Sequence, residues 1–303
     1  MSGRPTDRKS AGRPSQRSAS GTEAATNPDA LLSLQRGLTG NRQLAGTRYM
    51  DDPRLRQTYS AYYHEVSLAQ VRRVARSAAL HPRSVMDLGC GTGAASLAFL
   101  ERGARRFILV DHARGALEVA VAELEKAARA SHVEIYVTAV QASIDDISSA
   151  LSALPDQHAA IPVPDLVVFS HSLNETGHSS INPETGKKQD CADTVTGSRL
   201  AIIRAVRPFV ARDAVLAIIE PATLEAGRQA LCLRDALLDS GCTMIGPCTH
   251  GGACPALTAG PLHSCHDECG WDVPEHVARL ARSVGLDRQF IKMTWFVFGL
   301  TGF

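Results

Sequence analysis

The sequence predicts an α/β fold built on a mostly parallel, doubly wound sheet. Three observations predict it. From Ser84 onward, short apolar runs alternate with longer amphipathic segments, the pattern of strands joined by crossover helices. A glycine-rich turn joins the first such run to the first such helix. Two irregular stretches, 172–195 and 246–273, come directly after strand ends, where open α/β sheets place their ligands. The expected strands are Val85–Leu88, Phe107–Asp111, Val133–Val140, Leu166–Ser170, Val215–Glu220, Thr243–Ile245 and Phe290–Gly299. Helices are expected near 94–102, 115–129, 143–153, 196–210, 223–240 and 274–284. No internal repeat is present.

The region before the sheet divides in two. Residues 1–28 are rich in Ser, Gly, Arg and Thr with almost nothing to bury, which predicts a disordered basic tail. The tail is Arg- and Ser-rich like a transit peptide but lacks the apolar face such peptides need. Residues 29–80 predict a helical region: a short helix and linker over 30–46, then two helices within 47–80. The first of these follows Asp51, Asp52 and Pro53 and carries Tyr59, Tyr62 and Tyr63; the second runs through Val66, Leu68, Val71, Val74 and Ala75. Residues 81–303 then form the α/β domain, with a cysteine-rich insert at 246–273 before the last strand. The 303 residues are 44% hydrophobic and 21% charged, with a formal net charge of +1. That composition suits a globular protein with a full core and gives no global field favouring nucleic acid or membrane. No run approaches the roughly 18 apolar residues of a membrane helix.

The most informative segment is Val85-Met86-Asp87-Leu88-Gly89-Cys90-Gly91-Thr92-Gly93. A strand ends on an acid and enters a turn whose glycines permit tight backbone angles and close ligand approach. The spacing G-x-G-x-G is not the dinucleotide fingerprint, and no phosphate-binding lysine follows. A second acid, Asp111, closes the next strand, where a carboxylate can accept both hydroxyls of a ribose. Together these segments resemble the first two motifs of S-adenosylmethionine-dependent methyltransferases. The resemblance implies a Rossmann-like class I methyltransferase fold. It also implies a cofactor site formed by Asp87, Gly89, Cys90, Gly91 and Gly93 around the methionine part and Asp111 on the ribose. Ser143, with Asp145 and Asp146, lies where such folds contact adenine; a helix N-cap with first-turn acids explains these three equally well. The fourth strand ends in Phe169-Ser170-His171-Ser172-Leu173-Asn174-Glu175, which in that fold faces the transferred methyl group. His171 is the candidate base, and Asn174 and Glu175 are candidates for orienting a substrate. A polar loop cap is the plainer reading of the same residues. The tetrad of amino-methylating N6-adenine enzymes is absent.

Eight cysteines are present, five of them between positions 242 and 269. With no secretory signal evident, that crowding points to metal more than to disulfides. The run Pro247-Cys248-Thr249-His250-Gly251-Gly252-Ala253-Cys254-Pro255 is followed by Cys265-His266-Asp267-Glu268-Cys269. The wide first spacing fits zinc poorly, and four thiolates can equally hold an iron–sulfur cluster. Cys232 falls on a helical segment and reads as core, whereas Cys90 and Cys191 have no neighbouring cysteine.

Arg48-Tyr49-Met50-Asp51-Asp52-Pro53, Tyr62-Tyr63, Ile219-Glu220-Pro221-Ala222-Thr223, the P-C-x-H-x3-C-P run and Phe290–Phe298 occur in that order. In that order they resemble the methyltransferase-like family that assists assembly of the small ribosomal subunit in mitochondria, with its bacterial relatives. The likeness spans roughly 47–300. It implies an S-adenosylmethionine pocket, a 4Fe-4S cluster with zinc as the alternative, and association with the small ribosomal subunit or its rRNA. Cys248, Cys254 and Cys265 match family ligands. The family's fourth cysteine lies further downstream, where this chain has none, so Cys269 is the expected substitute, with Cys242 second and His266 third. The implied location is cytoplasmic, or mitochondrial in a eukaryote. A catalyst on the subunit or its rRNA, a non-catalytic assembly factor and a small-molecule methyltransferase all remain open. Arg72, Arg73, Arg76, Arg83, Arg105 and Arg106 offer a basic stripe for RNA, or simply solvated helix faces.

Overall fold

The computed structural model describes residues 27–154, 163–176 and 192–303. The tail, Cys191 and most of the polar loop lie outside the described residues. The strands are β1 (Ser84–Leu88), β2 (Arg106–Asp111), β3 (Tyr136–Gln141), β4 (Leu166–Ser170), β5 (Val215–Pro221), β6 (Thr243–Gly246), β7 (Asp267–Gly270) and β8 (Phe290–Gly299). They form one sheet in the order β3-β2-β1-β4-β5-β8-β6, with β7 also paired to β8. The pairs among β1 to β5 are parallel, whereas β8 runs antiparallel to β5, β6 and β7. This is the expected Rossmann-like, mostly parallel sheet, and its order reverses between β1 and β4, the switch point at which such sheets bind ligands.

Alternation along the strands divides the core. Val85, Phe107, Leu109, Val168 and Ile219 face one side with helices α2 (Pro53–Ser77), α3 (Ala94–Glu101) and α4 (Arg114–Ala130). Met86, Leu88, Val110, Phe169 and Ile218 face the other, with α5 (Ile147–Ser152), α6 (Ala192–Val206) and α7 (Leu224–Asp239). A third cluster joins α1 (Pro28–Gln35), Tyr62, Tyr63 and Val66 of α2, helix α9 (Glu275–Ser283) and Ile291 of β8.

Three expectations are corrected. Residues 53–77 are one 25-residue helix rather than part of two. Asp52 caps it, its carboxylate accepting from the Arg54 and Leu55 amides, and Pro53 occupies the first turn. Nothing between Tyr63 and Val66 breaks the helical period, so the two apolar stretches are successive parts of one buried face. The insert also contributes a strand, β7, and a short helix, α8 (Pro255–Thr258), instead of being wholly irregular. Strand β3 begins at Tyr136 rather than Val133, the preceding residues forming the turn out of α4. Among the described residues no helix is long and apolar enough to cross a membrane.

Candidate functional site

The turn after β1 is shaped by three glycines with positive φ, each for its own reason. At Gly89 (φ +71) an added Cβ would lie 2.4 Å from Ser172 Cβ, because the turn packs on the loop after β4. At Gly93 (φ +85) it would lie 2.9 Å from Ala120 Cβ of α4. At Gly91 (φ +52) it would meet only Met50 Cε, at 3.8 Å. Gly91 is therefore the glycine whose backbone is open to a ligand. The other two let α3 and the β4 loop close in behind it. Of the expected cofactor residues, Gly89, Gly91, Asp111 and Ser143 line one cavity of about 730 Å3, mouth included, together with Tyr49, His112, Asp145 and Ser170.

Asp111 is 6% exposed; it accepts hydrogen bonds from the Gly91 and Ala113 amides, both at 2.8 Å. Each carboxylate oxygen keeps a lone pair for a further donor. Burial raises its pKa, and the two amides and His112 oppose that rise. Ser170 Oγ and His112 Nε2 are buried at this cavity without a partner. Buried polar atoms are normally satisfied, so these two fit a site that takes a polar ligand.

Three expected cofactor residues do not line the cavity. The Cys90 side chain turns into the hydrophobic core and is 7% exposed, because the positive-φ turn swings it under α3. Gly93 faces α4. Asp87 is 1% exposed; its Oδ2 accepts from the Ser96 amide at 3.2 Å and the Ser96 hydroxyl at 2.6 Å, tying β1 to α3. Its Oδ1 is sealed without a partner, and burial pushes the carboxyl up to about 7.

A second cavity, about 1170 Å3 with its mouth, adjoins the first; Tyr49, Tyr59, His171 and Glu175 line both. Its further walls include Leu38, Tyr63, Gln70, Asn174, Pro221 and Arg288. Thus the β4 loop does bring His171 and Glu175 to the junction. His171 holds φ +61, a conformation non-glycine residues rarely adopt, and its amide donates to Ile219 O at 2.7 Å. Burial pushes its imidazole down to about 4, so the ring is neutral at pH 7. Burial, then the nearby Asp111 and Glu220 charges, push Glu175 up to about 8, against a weak bond from the Gly46 amide. Asn174 is a brace: its Nδ2 donates to His171 O at 2.7 Å, its Oδ1 accepts from Arg42, and its amide donates to Glu220. The second-cavity residues Tyr59, Tyr63 and Gln70 were not expected at the site. The tyrosines at 59 and 63, one helical turn apart, were the available signal.

The insert is anchored by α7. Arg234, fully buried, donates to His250 O at 2.8 Å and Gly252 O at 2.7 Å and pairs with Asp235; Asp235 accepts from the Cys254 amide at 3.1 Å. Burial raises the Cys265 thiol, and the charges of Cys248 and Cys254 raise it further; Cys248 and Cys265 line one surface groove, whereas Cys254 is buried in the core. Cys269 is not brought to them. The β7–β8 register sets it opposite Ile291, and it packs against the α1–α2–α9 cluster. Cys242 is buried in the core beside α7, its thiol pushed up to about 11, mainly by burial. Among the described residues, no group of three or more His, Cys, Asp or Glu side chains is arranged to hold a metal ion. The expected four-ligand set is therefore not assembled.

No curated protein matches the chain. Solved structures resemble it at low identity. A Streptococcus mutans protein provisionally assigned as a SAM-dependent methyltransferase is 14% identical, with 76% of this chain and 48% of that one covered and a TM-score of 0.42. This chain thus spans about half of that protein. An O-methyltransferase family protein from Burkholderia thailandensis is 14% identical over 92% of this chain and 73% of that one, at a TM-score of 0.41. Magnesium protoporphyrin IX methyltransferase from Synechocystis, solved with bound SAM, is 13% identical over 92% and 99%, at 0.40. A family model described as a methyltransferase domain matches residues 85–163, the stretch from β1 to the approach to β4 that contains the glycine turn, Asp111 and Ser143. The chain is therefore methyltransferase-like: residues 85–163 match a methyltransferase domain, set within a Rossmann-like sheet.

Proposed function

We propose that the chain binds S-adenosylmethionine in the cavity beside Gly91 and acts as a methyltransferase-like protein on the small ribosomal subunit or its rRNA. One observation carries the cofactor reading: an open backbone at Gly91 faces a cavity in which Asp111, held by two amides, keeps oxygen lone pairs free. Asp111 would hold the ribose hydroxyls, Ser143 and Asp145 the adenine end, and the Gly89–Gly91 backbone the methionine end. When bound, the cofactor supplies an electrophilic methyl group. His171 and Glu175 line the side of the cavity from which an acceptor would approach.

The ribosomal part rests on the resemblance of motifs. The arginine stripe adds little to it: Arg72 pairs with Glu101, Arg73 with Asp267, Arg105 donates to carbonyls of its own turn, and Arg106 lies over Tyr136. The 4Fe-4S cluster, with zinc as the alternative, rests on the resemblance alone; Cys248, Cys254 and Cys265 would be its ligands. A small-molecule substrate is favoured by one feature, the second cavity.

Calorimetry with S-adenosylhomocysteine tests the pocket. Wild type binds, and Asp111→Ala loses two charge-assisted hydrogen bonds, about 3–5 kcal/mol or at least 100-fold in Kd. Unchanged affinity rejects the assignment. Salt-sensitive co-sedimentation with small ribosomal subunits tests the partner, and its absence at low salt rejects it.

A further inference from the structure

We infer that the second cavity is the acceptor site, that Gln70 fixes the His171 tautomer which serves it, and that its substrate is a flat aromatic or heteroaromatic ring carrying an O–H or N–H nucleophile. The inference rests on the donor-cavity reading above.

The tautomer follows from hydrogen-bond logic. Gln70, 4% exposed, donates through Nε2 to the Lys292 carbonyl at 3.0 Å. A carbonyl only accepts, so the amide cannot be reversed, and Oε1 must face His171 Nε2 at 2.7 Å. An amide oxygen also only accepts, so Nε2 of the neutral imidazole carries the hydrogen, leaving Nδ1 with a lone pair. Nδ1 has no hydrogen-bond partner among the described residues and is not among the sealed polar atoms. The ring that carries it lines both cavities. Gln70 is a positioning residue: it touches no reacting atom and acts through His171.

The substrate class follows from the walls. Tyr59 and Tyr63 stack at 5.5 Å between centroids, flanked by Tyr49 and Tyr62, and with Leu38 and Pro221 they give the second cavity an aromatic and apolar wall suited to a flat ring. Tyr63 is 9% exposed and its hydroxyl is sealed from the cavity, so what it offers a ligand is its ring. A bare Nδ1 at the junction has work only if the acceptor loses a proton. As the acceptor heteroatom bonds to the methyl carbon, the S–CH3 bond of the sulfonium donor breaks, its electron pair returns to sulfur, and the O–H or N–H proton passes to Nδ1. A free small molecule and a base presented from an RNA strand share this chemistry.

The test uses the full chain, 15N-labelled at histidine, saturated with S-adenosylhomocysteine. Long-range 1H–15N spectra at pH 7, with His171 assigned by its loss in His171→Asn, should show the Nε2–H tautomer. Gln70→Met should mix the tautomers. Gln70→Glu, which still accepts from Nε2–H, should keep it. Titration with 7-hydroxycoumarin, with cytidine and adenosine, and with a single-stranded RNA oligonucleotide should shift the His171 signals for at least one probe. Tyr63→Leu should weaken that probe about tenfold, the loss of an aromatic contact, and leave S-adenosylhomocysteine affinity unchanged. A response to the small probes assigns a free substrate; a response to the oligonucleotide alone assigns a base in a strand. An Nδ1–H tautomer in wild type overturns the inference. So does S-adenosylhomocysteine binding with no probe reaching His171. Failure of S-adenosylhomocysteine itself to bind overturns the donor reading beneath it.

Discussion

Replacing the three turn glycines one at a time by alanine separates ligand contact from folding. All three hold positive φ, so each alanine costs about 1–2 kcal/mol in backbone strain. At Gly91 nothing is added to that cost, because the nearest atom to the new methyl is the end of a flexible methionine at 3.8 Å. At Gly93 the methyl would press on Ala120 Cβ at 2.9 Å and Cα at 3.0 Å, an overlap with a helix backbone that adds about 1–3 kcal/mol. At Gly89 it would displace Ser172, whose hydroxyl donates to Leu88 O at 2.6 Å, at a similar further cost. Thermal unfolding should therefore rank Gly91→Ala mildest, about 2–6 °C below wild type, and the other two roughly twofold to threefold further down. Calorimetry with S-adenosylhomocysteine should rank them differently: Gly91→Ala, well folded, loses at least tenfold in affinity because its methyl enters the space the ligand occupies. A Gly91→Ala protein that binds as tightly as wild type would refute the placement of the ligand against this backbone. One that unfolds as readily as Gly93→Ala would refute the geometric ranking.

Other perturbations bear on the remaining parts of the site. Burial raises the native pKa of Glu175 to about 8 from an ordinary value near 4.5, so the native state binds more protons between those values. The Glu175 contribution to stability is then present below the ordinary value and is lost as pH rises through about 8. Glu175→Gln should stabilise the protein relative to wild type more at pH 8.5 than at pH 5, read as the difference in Tm; a pH-independent difference contradicts the burial argument. Arg234→Met removes the buried guanidinium that holds the His250 and Gly252 carbonyls and leaves Asp235 uncompensated, at a cost of about 3–5 kcal/mol in denaturant unfolding. Limited proteolysis of that variant should cut within 248–254; a resistant loop counts against the clamp. Metal analysis of anaerobically purified protein should find iron that falls in Cys248→Ser, Cys254→Ser and Cys265→Ser but not in Cys269→Ser, which packs against another cluster. Stoichiometric zinc, or equal loss in all four, would reverse that assignment.

The amino-acid sequence by itself determined the parallel part of the sheet, the glycine turn and the two acid-tipped strands. Each is written in adjacent residues: a short apolar run, a Gly spacing, an acid at a strand end. Local pattern also located His171 and Glu175 at the end of β4. It did not separate the residues of the turn that meet a ligand from those that meet protein. Cys90 and Gly93 share a motif with Gly91, yet the positive-φ turn aims one into the core and the other at α4. The antiparallel direction of β8 was equally illegible, because strand direction is set by how the chain returns and not by apolar content. Tertiary structure alone decided that a helix preceding the sheet would wall the second cavity. Gln70 and the Lys292 carbonyl are 222 positions apart, and only folding makes them hydrogen-bond partners. It also decided that β7 pairing would turn Cys269 away from the other cysteines. A spacing of cysteines records reach along the chain, whereas ligand geometry depends on which face of a strand each side chain takes.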